Sequence, residues 1–81
     1  MDNSEIIKQI TEIFKDVLDN EDIILVRATT AHDIDDWDSL THIELTIAIE
    51  KHFKIRFISA EIRNWKNVGE MCDTISKRLT L

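Results

Sequence analysis

The sequence predicts an all-α fold, a small helical bundle of three long helices and one short helix with a long loop between the first two. Three observations predict it. Apolar residues recur at three- and four-residue spacing in three separate stretches, and the 81 residues contain no proline. The one segment of strand-like composition, Ile23-Ile24-Leu25-Val26, has no second candidate to pair with. A chain of this length sits near the size at which one core only just offsets chain entropy, so residues 1–81 read as a single domain.

Asp2, Asn3 and Ser4 are all capable N-caps for a first helix. Ile6, Ile10, Ile13, Phe14 and Val17 then repeat at helical spacing as far as Leu18-Asp19-Asn20. From Asn20 to Asp38 the period is lost, and the expectation is a long ordered loop that tucks Ile23 to Val26 under the helices, with Ile34 as a further anchor. Loops this long in compact domains are more often functional than idle.

The second helix is expected to start with Asp38 as N-cap and Ser39 at the first helical position, and to run to Phe53 or Lys54. At about 100° per residue, Leu45, Ala48, Ile49 and Phe53 form one apolar sector, while Leu40, Ile43 and Ile47 form a second on nearly the opposite side. One stripe is enough to dock a helix in a domain this small. The second is therefore either covered by the preceding loop or left for a partner, and the acids Glu44 and Glu50 beside it favour a recognition surface with an apolar centre and an acidic rim.

Lys54 to Ile58 reads as a connector whose apolar residues close the core. Ser59-Ala60-Glu61-Ile62-Arg63 predicts a short helix capped by Ser59, with Glu61 where the helix dipole favours it, and Trp65 is expected at the core edge. The last helix opens with Asn67 at the cap and Glu70 three residues on, and Val68, Met71, Cys72, Ile75 and Leu79 form its apolar stripe. Cys72 reads as a small buried hydrophobe, and as a lone cysteine it suits a reducing compartment.

Charge narrows the function classes. The net charge of -6 argues against nucleic acid, whose phosphates would be repelled. Residues 1–50 hold thirteen acids and three bases, residues 51–81 three acids and seven bases, and Ala31 to Glu50 holds six acids and no Lys or Arg. Such an acidic face steers encounters with basic partner surfaces. Met1 to Glu5 carry acids where a secretory signal carries bases, and no apolar run is long enough to cross a bilayer. The expectation is a soluble, cytoplasmic monomer.

The densest feature is Asp33-Ile34-Asp35-Asp36-Trp37-Asp38-Ser39-Leu40. Ser39 with His42 one turn on and Asp38 beside it suggests a nucleophile, but no Gly-x-Ser-x-Gly elbow is present, and an acidic loop opposes the oxyanion of acyl transfer. As a calcium loop, Asp33, Asp35 and Glu44 fit positions one, three and twelve, whereas Trp37 stands at five and Asp38 replaces the glycine of position six. His32, His42 and His52 lie ten residues apart and share no helix face, so no metal site is expected and they read as solvated or locally capped. What remains is a serine at a helix start, where backbone N–H groups favour an attached phosphate, on a surface that a modifying enzyme can grip.

These residues carry a resemblance. Asp38-Ser39-Leu40, the acids before it and the helix Ile43 to Phe53 resemble an acyl carrier protein, and the likeness in chain length, charge and helix order spans essentially the whole chain. The resemblance implies a 4'-phosphopantetheine arm on Ser39, with Asp38 and Leu40 completing the attachment motif. It implies a phosphopantetheinyl transferase that adds the arm from coenzyme A, and an acyl or aminoacyl cargo held as a thioester by a carrier that is not itself a catalyst. Asp35, Asp36, Ile43, Glu44, Ile47 and Glu50 fall where the family meets its partners. The partners implied are an acyl-loading ligase or transferase and ketosynthase-type enzymes with basic docking surfaces. A stand-alone carrier in fatty-acid, polyketide or related specialised biosynthesis is the leading expectation, beside an aminoacyl, D-alanyl or peptidyl carrier loaded by an adenylating ligase, and, from another class, a non-covalent helical adaptor. Asp36 and Trp37 stand where many fatty-acid carriers have a glycine and a small residue, and Thr41 stands where many have an acid. These departures leave room for a specialised pathway.

Overall fold

A computed structural model describes residues 2–79. Four helices follow one another, α1 (Asn3–Leu18), α2 (Ser39–Phe53), α3 (Ser59–Asn64) and α4 (Val68–Leu79), and a single 3-10 turn, Ala31–Asp33, interrupts the long α1–α2 loop. Helix α1 packs against both α2 and α4. The expected all-α bundle of three long helices and one short one is the fold observed.

Of the three candidate caps, Asp2 caps α1, its Oδ1 accepting the Glu5 N–H at 2.9 Å. The helix buries Ile6, Ile10, Ile13, Phe14 and Leu18 and stops at Asp19, whose left-handed backbone (φ 51) sends its N–H back to the Lys15 carbonyl. On the other side of the core lie Leu45, Ile49 and Phe53 of α2 and Val68, Met71, Cys72 and Ile75 of α4. Cys72 is fully buried, and burial pushes its thiol up to about 11.

The loop corrects one expectation. Only Ile23 and Leu25 are tucked into the core, whereas Ile24 is 79% and Val26 56% exposed. The segment is extended, so successive side chains point to opposite sides, and only alternate residues reach the core. After it the chain straps onto α4. The carbonyls of Arg27 and Thr29 accept the N–H groups of Gly69 and Val68, each at 2.8 Å, which satisfies donors that a helix start leaves open. A Cβ on Gly69 would sit 3.1 Å from the Arg27 carbonyl oxygen, so this close approach favours glycine. Both guanidinium ends of Arg27 meet the Asp73 carboxylate, at 3.1 and 3.0 Å.

Helix α3 is capped differently from the expectation as well. Ile58, not Ser59, is the cap residue, and the Glu61 carboxylate reaches back to the Ile58 N–H at 3.0 Å. That bond, together with the Arg78 guanidinium at 2.6 Å, holds the Glu61 carboxyl below its ordinary range and ties α3 to α4. At α4 the Asn67 Oδ1 accepts the Glu70 N–H as expected, while the Glu70 carboxylate takes the Lys66 N–H at 3.4 Å.

Candidate functional site

Ser39 opens α2 at the rim of the bundle, exposed, and its neighbours are occupied in holding the helix start. Asp38 Oδ1 accepts the N–H groups of Leu40 and Thr41, both at 3.0 Å. Thr41 returns the favour through its hydroxyl, which accepts the Asp38 N–H at 2.8 Å and lies 2.7 Å from the Asp36 carbonyl, to which it donates. The sequence Asp38-x-x-Thr41 is thus a reciprocal capping box with threonine in the place usual for Glu or Gln. The backbone N–H of Thr41 is the main reason that the Asp38 carboxyl lies below the usual carboxylate range, so it is ionised near neutral pH.

His42 is neither solvated nor aimed at the serine. Its Nδ1 accepts from the Trp37 indole N–H at 3.0 Å, and its Nε2 lies 3.2 Å from the Ile62 carbonyl. With the indole donating to Nδ1, the proton must sit on Nε2 and be given to the carbonyl. Both ring nitrogens are therefore committed, and neither is left to deprotonate Ser39. The pair links the loop, α2 and α3 around the serine. Trp37 is only 8% exposed, with its ring edge-on to Phe14 at 4.9 Å, so the acidic loop carries a core residue in its middle. Rings continue from Phe14 through Trp37, His42 and Trp65 to Phe57, each centroid within 6.0 Å of the next. Of the other two histidines, His52 is exposed and meets the Gln9 Oε1 at 2.7 Å, and His32 is exposed on the 3-10 turn.

Beside Ser39 lies an open groove of about 390 Å³, walled by Trp37, His42, Ile62 and Trp65, with the exposed Arg63 and Lys66 along its edge. Reading the sequence alone missed this wall. The one available signal was the pairing of a tryptophan just before the cap with a histidine in the first turn, five residues apart.

Of the residues singled out for partner contact, Asp35, Asp36 and Glu44 are exposed, as are Leu40 (69%), Ile43 (55%) and Ile47 (46%). The loop does not cover this second stripe. Glu50 is half-buried, and its Oε2 accepts the Phe57 N–H at 2.8 Å, which anchors the connector behind α2. Asp33, first in the calcium-loop alignment, spends its Oδ2 on the Thr30 N–H at 2.9 Å, capping the 3-10 turn.

No family model and no curated protein sequence matches the chain. Among solved structures, the solution NMR structure of the holo acyl carrier protein from Geobacter metallireducens is similar to it, with a TM-score of 0.86 and 43% sequence identity over 91% of this chain and 85% of that one.

Proposed function

The chain belongs to the acyl carrier protein family, and from that premise we propose that Ser39 is the attachment point of a 4'-phosphopantetheine arm. It is a carrier and not an enzyme. The observation that supports Ser39 is its isolation. It is exposed at the start of α2, while Asp38, Thr41 and His42, the polar groups nearest in sequence, are all committed to holding the helix start and the loop. In the reaction proposed, a phosphopantetheinyl transferase joins Ser39 Oγ to the phosphorus of coenzyme A that bears the pantetheine. The adenosine bisphosphate leaves, and the hydroxyl proton passes to the transferase.

The residues around Ser39 fit such a group. The N–H groups of Leu40 and Thr41 are taken by Asp38, so what the start of α2 offers a phosphodiester is the positive end of the helix dipole. Arg63 and Lys66 offer it positive charge, and the ring-lined groove offers space for the arm beyond it. The arm supplies a thiol on which an acyl group is held as a thioester. Leu40, Ile43 and Ile47, rimmed by Asp35, Asp36 and Glu44, form the docking surface for basic faces of the loading ligase or transferase and of ketosynthase-type enzymes. Glu50 is half-buried and its carboxylate is engaged by the Phe57 N–H, so it adds little to this rim. The cargo is an acyl intermediate of fatty-acid, polyketide or related specialised biosynthesis in the cytoplasm.

Intact-mass analysis after incubation with coenzyme A and a phosphopantetheinyl transferase tests the site. The expected result is one added arm, lost in Ser39→Ala; no gain, or a gain that survives the substitution, would leave only the reading as a non-covalent adaptor. In the same assay Glu44→Lys slows docking with the far-ultraviolet circular dichroism unchanged, and a loss of helix signal would refute the placement of Glu44 on an exposed face.

A further inference from the structure

We propose that the exposed face of α2 is self-complementary and pairs two copies of this chain, antiparallel, in a weak and salt-sensitive dimer that covers the approach to Ser39. The inference does not rest on the arm, because the surface involved is the polypeptide itself.

At about 100° per residue, Leu40, Ile43, Glu44, Ile47 and Lys51 share one face of α2. Past its end, Lys54, Ile55 and Arg56 join Ile47, Lys51 and the half-buried Glu50, whose carboxylate is engaged by the Phe57 N–H, around an open groove of about 610 Å³. The strip is thus bipolar. Its start carries the exposed acids Asp35, Asp36 and Glu44, and its end the exposed bases Lys51, Lys54 and Arg56, on either side of an apolar centre. None of these six side chains is in an ion pair among the described residues.

A twofold axis near Ile47 brings Ile47 against its own copy and Ile43 beside it. It sets Glu44 opposite Lys51 of the second copy, and turns the loop that carries Asp35 and Asp36 toward the basic end at Lys54 and Arg56 of that copy. A helix of 15 residues is about 22 Å long, so the acidic and basic ends of the strip stand about that far apart. The same patch serves on both copies, as an isologous interface requires. Parallel pairing would set like charges on like and is disfavoured. A uniformly basic enzyme surface would suit the acidic half of the strip and repel the basic half, whereas a second copy satisfies both.

One helix face is about 10 Å wide and buries far less than the roughly 800 Å² per partner of a stable complex, so the dimer forms only at high concentration. The monomer expected from the sequence is then the dilute state. In the dimer Leu40 is covered, and a carrier must dissociate before an enzyme can dock on it.

Sedimentation equilibrium of the full, unmodified chain tests this, with the free Ser39 hydroxyl verified by intact mass. Between about 10 µM and 1 mM in low salt, the mean mass should climb toward twice the monomer, and raising the salt to about 0.3 M should weaken association about tenfold. Reversing the basic end (Lys51→Glu, Lys54→Glu, Arg56→Glu) should leave a monomer, as should reversing the acidic end (Asp35→Lys, Asp36→Lys, Glu44→Lys). An equimolar mixture of the two variants should pair again, because each then meets its complement. A chain that stays monomeric at about 1 mM in low salt, or a dimer indifferent to both reversals, would overturn the proposal. Neither result bears on whether Ser39 takes the arm.

Discussion

Leu45, Ile49 and Phe53 on one face of α2 and Leu40, Ile43 and Ile47 on the other are two sets of three large apolar side chains. The first set is closed within the core, and the second faces solvent. Helix α2 is held by the burial of only half its apolar surface, and the other half adds little to stability. What separates the faces is the reach of the neighbours. Helix α1 lies along the inner face, while the loop, extended and strapped to the start of α4, never crosses the outer one. An apolar face that packing does not need is available for encounters with other molecules.

Breaking the inner face should have the largest effect. Leu45→Ala empties a fully buried site and is expected to cost about 2–5 kcal/mol, read as a fall in the urea midpoint with unchanged slope. Trp37→Phe retains most of the ring packing but deprives His42 Nδ1 of its donor, and about 1–3 kcal/mol should be lost. If that variant were as stable as the parent, the Trp37–His42 bond would not be what holds the loop to α2. Cys72 gives the buried side a pH signature. Its thiol titrates higher in the folded chain than its ordinary 9.0, so folding favours the neutral form. The stability this contributes is present below about pH 9 and is lost as pH rises toward about 11. Urea midpoints measured across that window should fall, and should fall less in Cys72→Ala once its own lower baseline is subtracted. The smallest effect belongs to the outer face, where Ile43→Ala should shift stability by no more than about 0.5 kcal/mol. A larger loss would mean that the two faces are not separate in the way described.

Much of this was readable in the sequence, for identifiable reasons. The helices announce themselves through period, and Asp38 is recognisable as a cap because an acid before an apolar helix pattern has few other uses. Ser39 follows from it. Period alone does not say which of the two stripes of α2 is buried, since both are apolar; the acids beside Leu40, Ile43 and Ile47 favour that stripe as the exposed one, and the path of the loop leaves it so. The pairing of Trp37 with His42 depends on how the chain turns between them, and a tryptophan amid aspartates gives no hint that it belongs to the core. Ser59 is a good cap by type, but Glu61 captures the Ile58 N–H first, which only the conformation of the connector reveals. Glu50 looked like a surface acid and instead holds the backbone at Phe57.

The ring series from Phe14 to Phe57 has an optical consequence. The chain has no tyrosine and only two tryptophans, and both stand in that series beside Ser39. All of the protein's indole emission therefore originates at the groove, from one ring that is shielded and hydrogen-bonded to an imidazole and one that is half-exposed and bonded to Thr74. Whatever enters that groove should change the colour or yield of this light, so the molecule carries its own dye at the place where cargo would be seen.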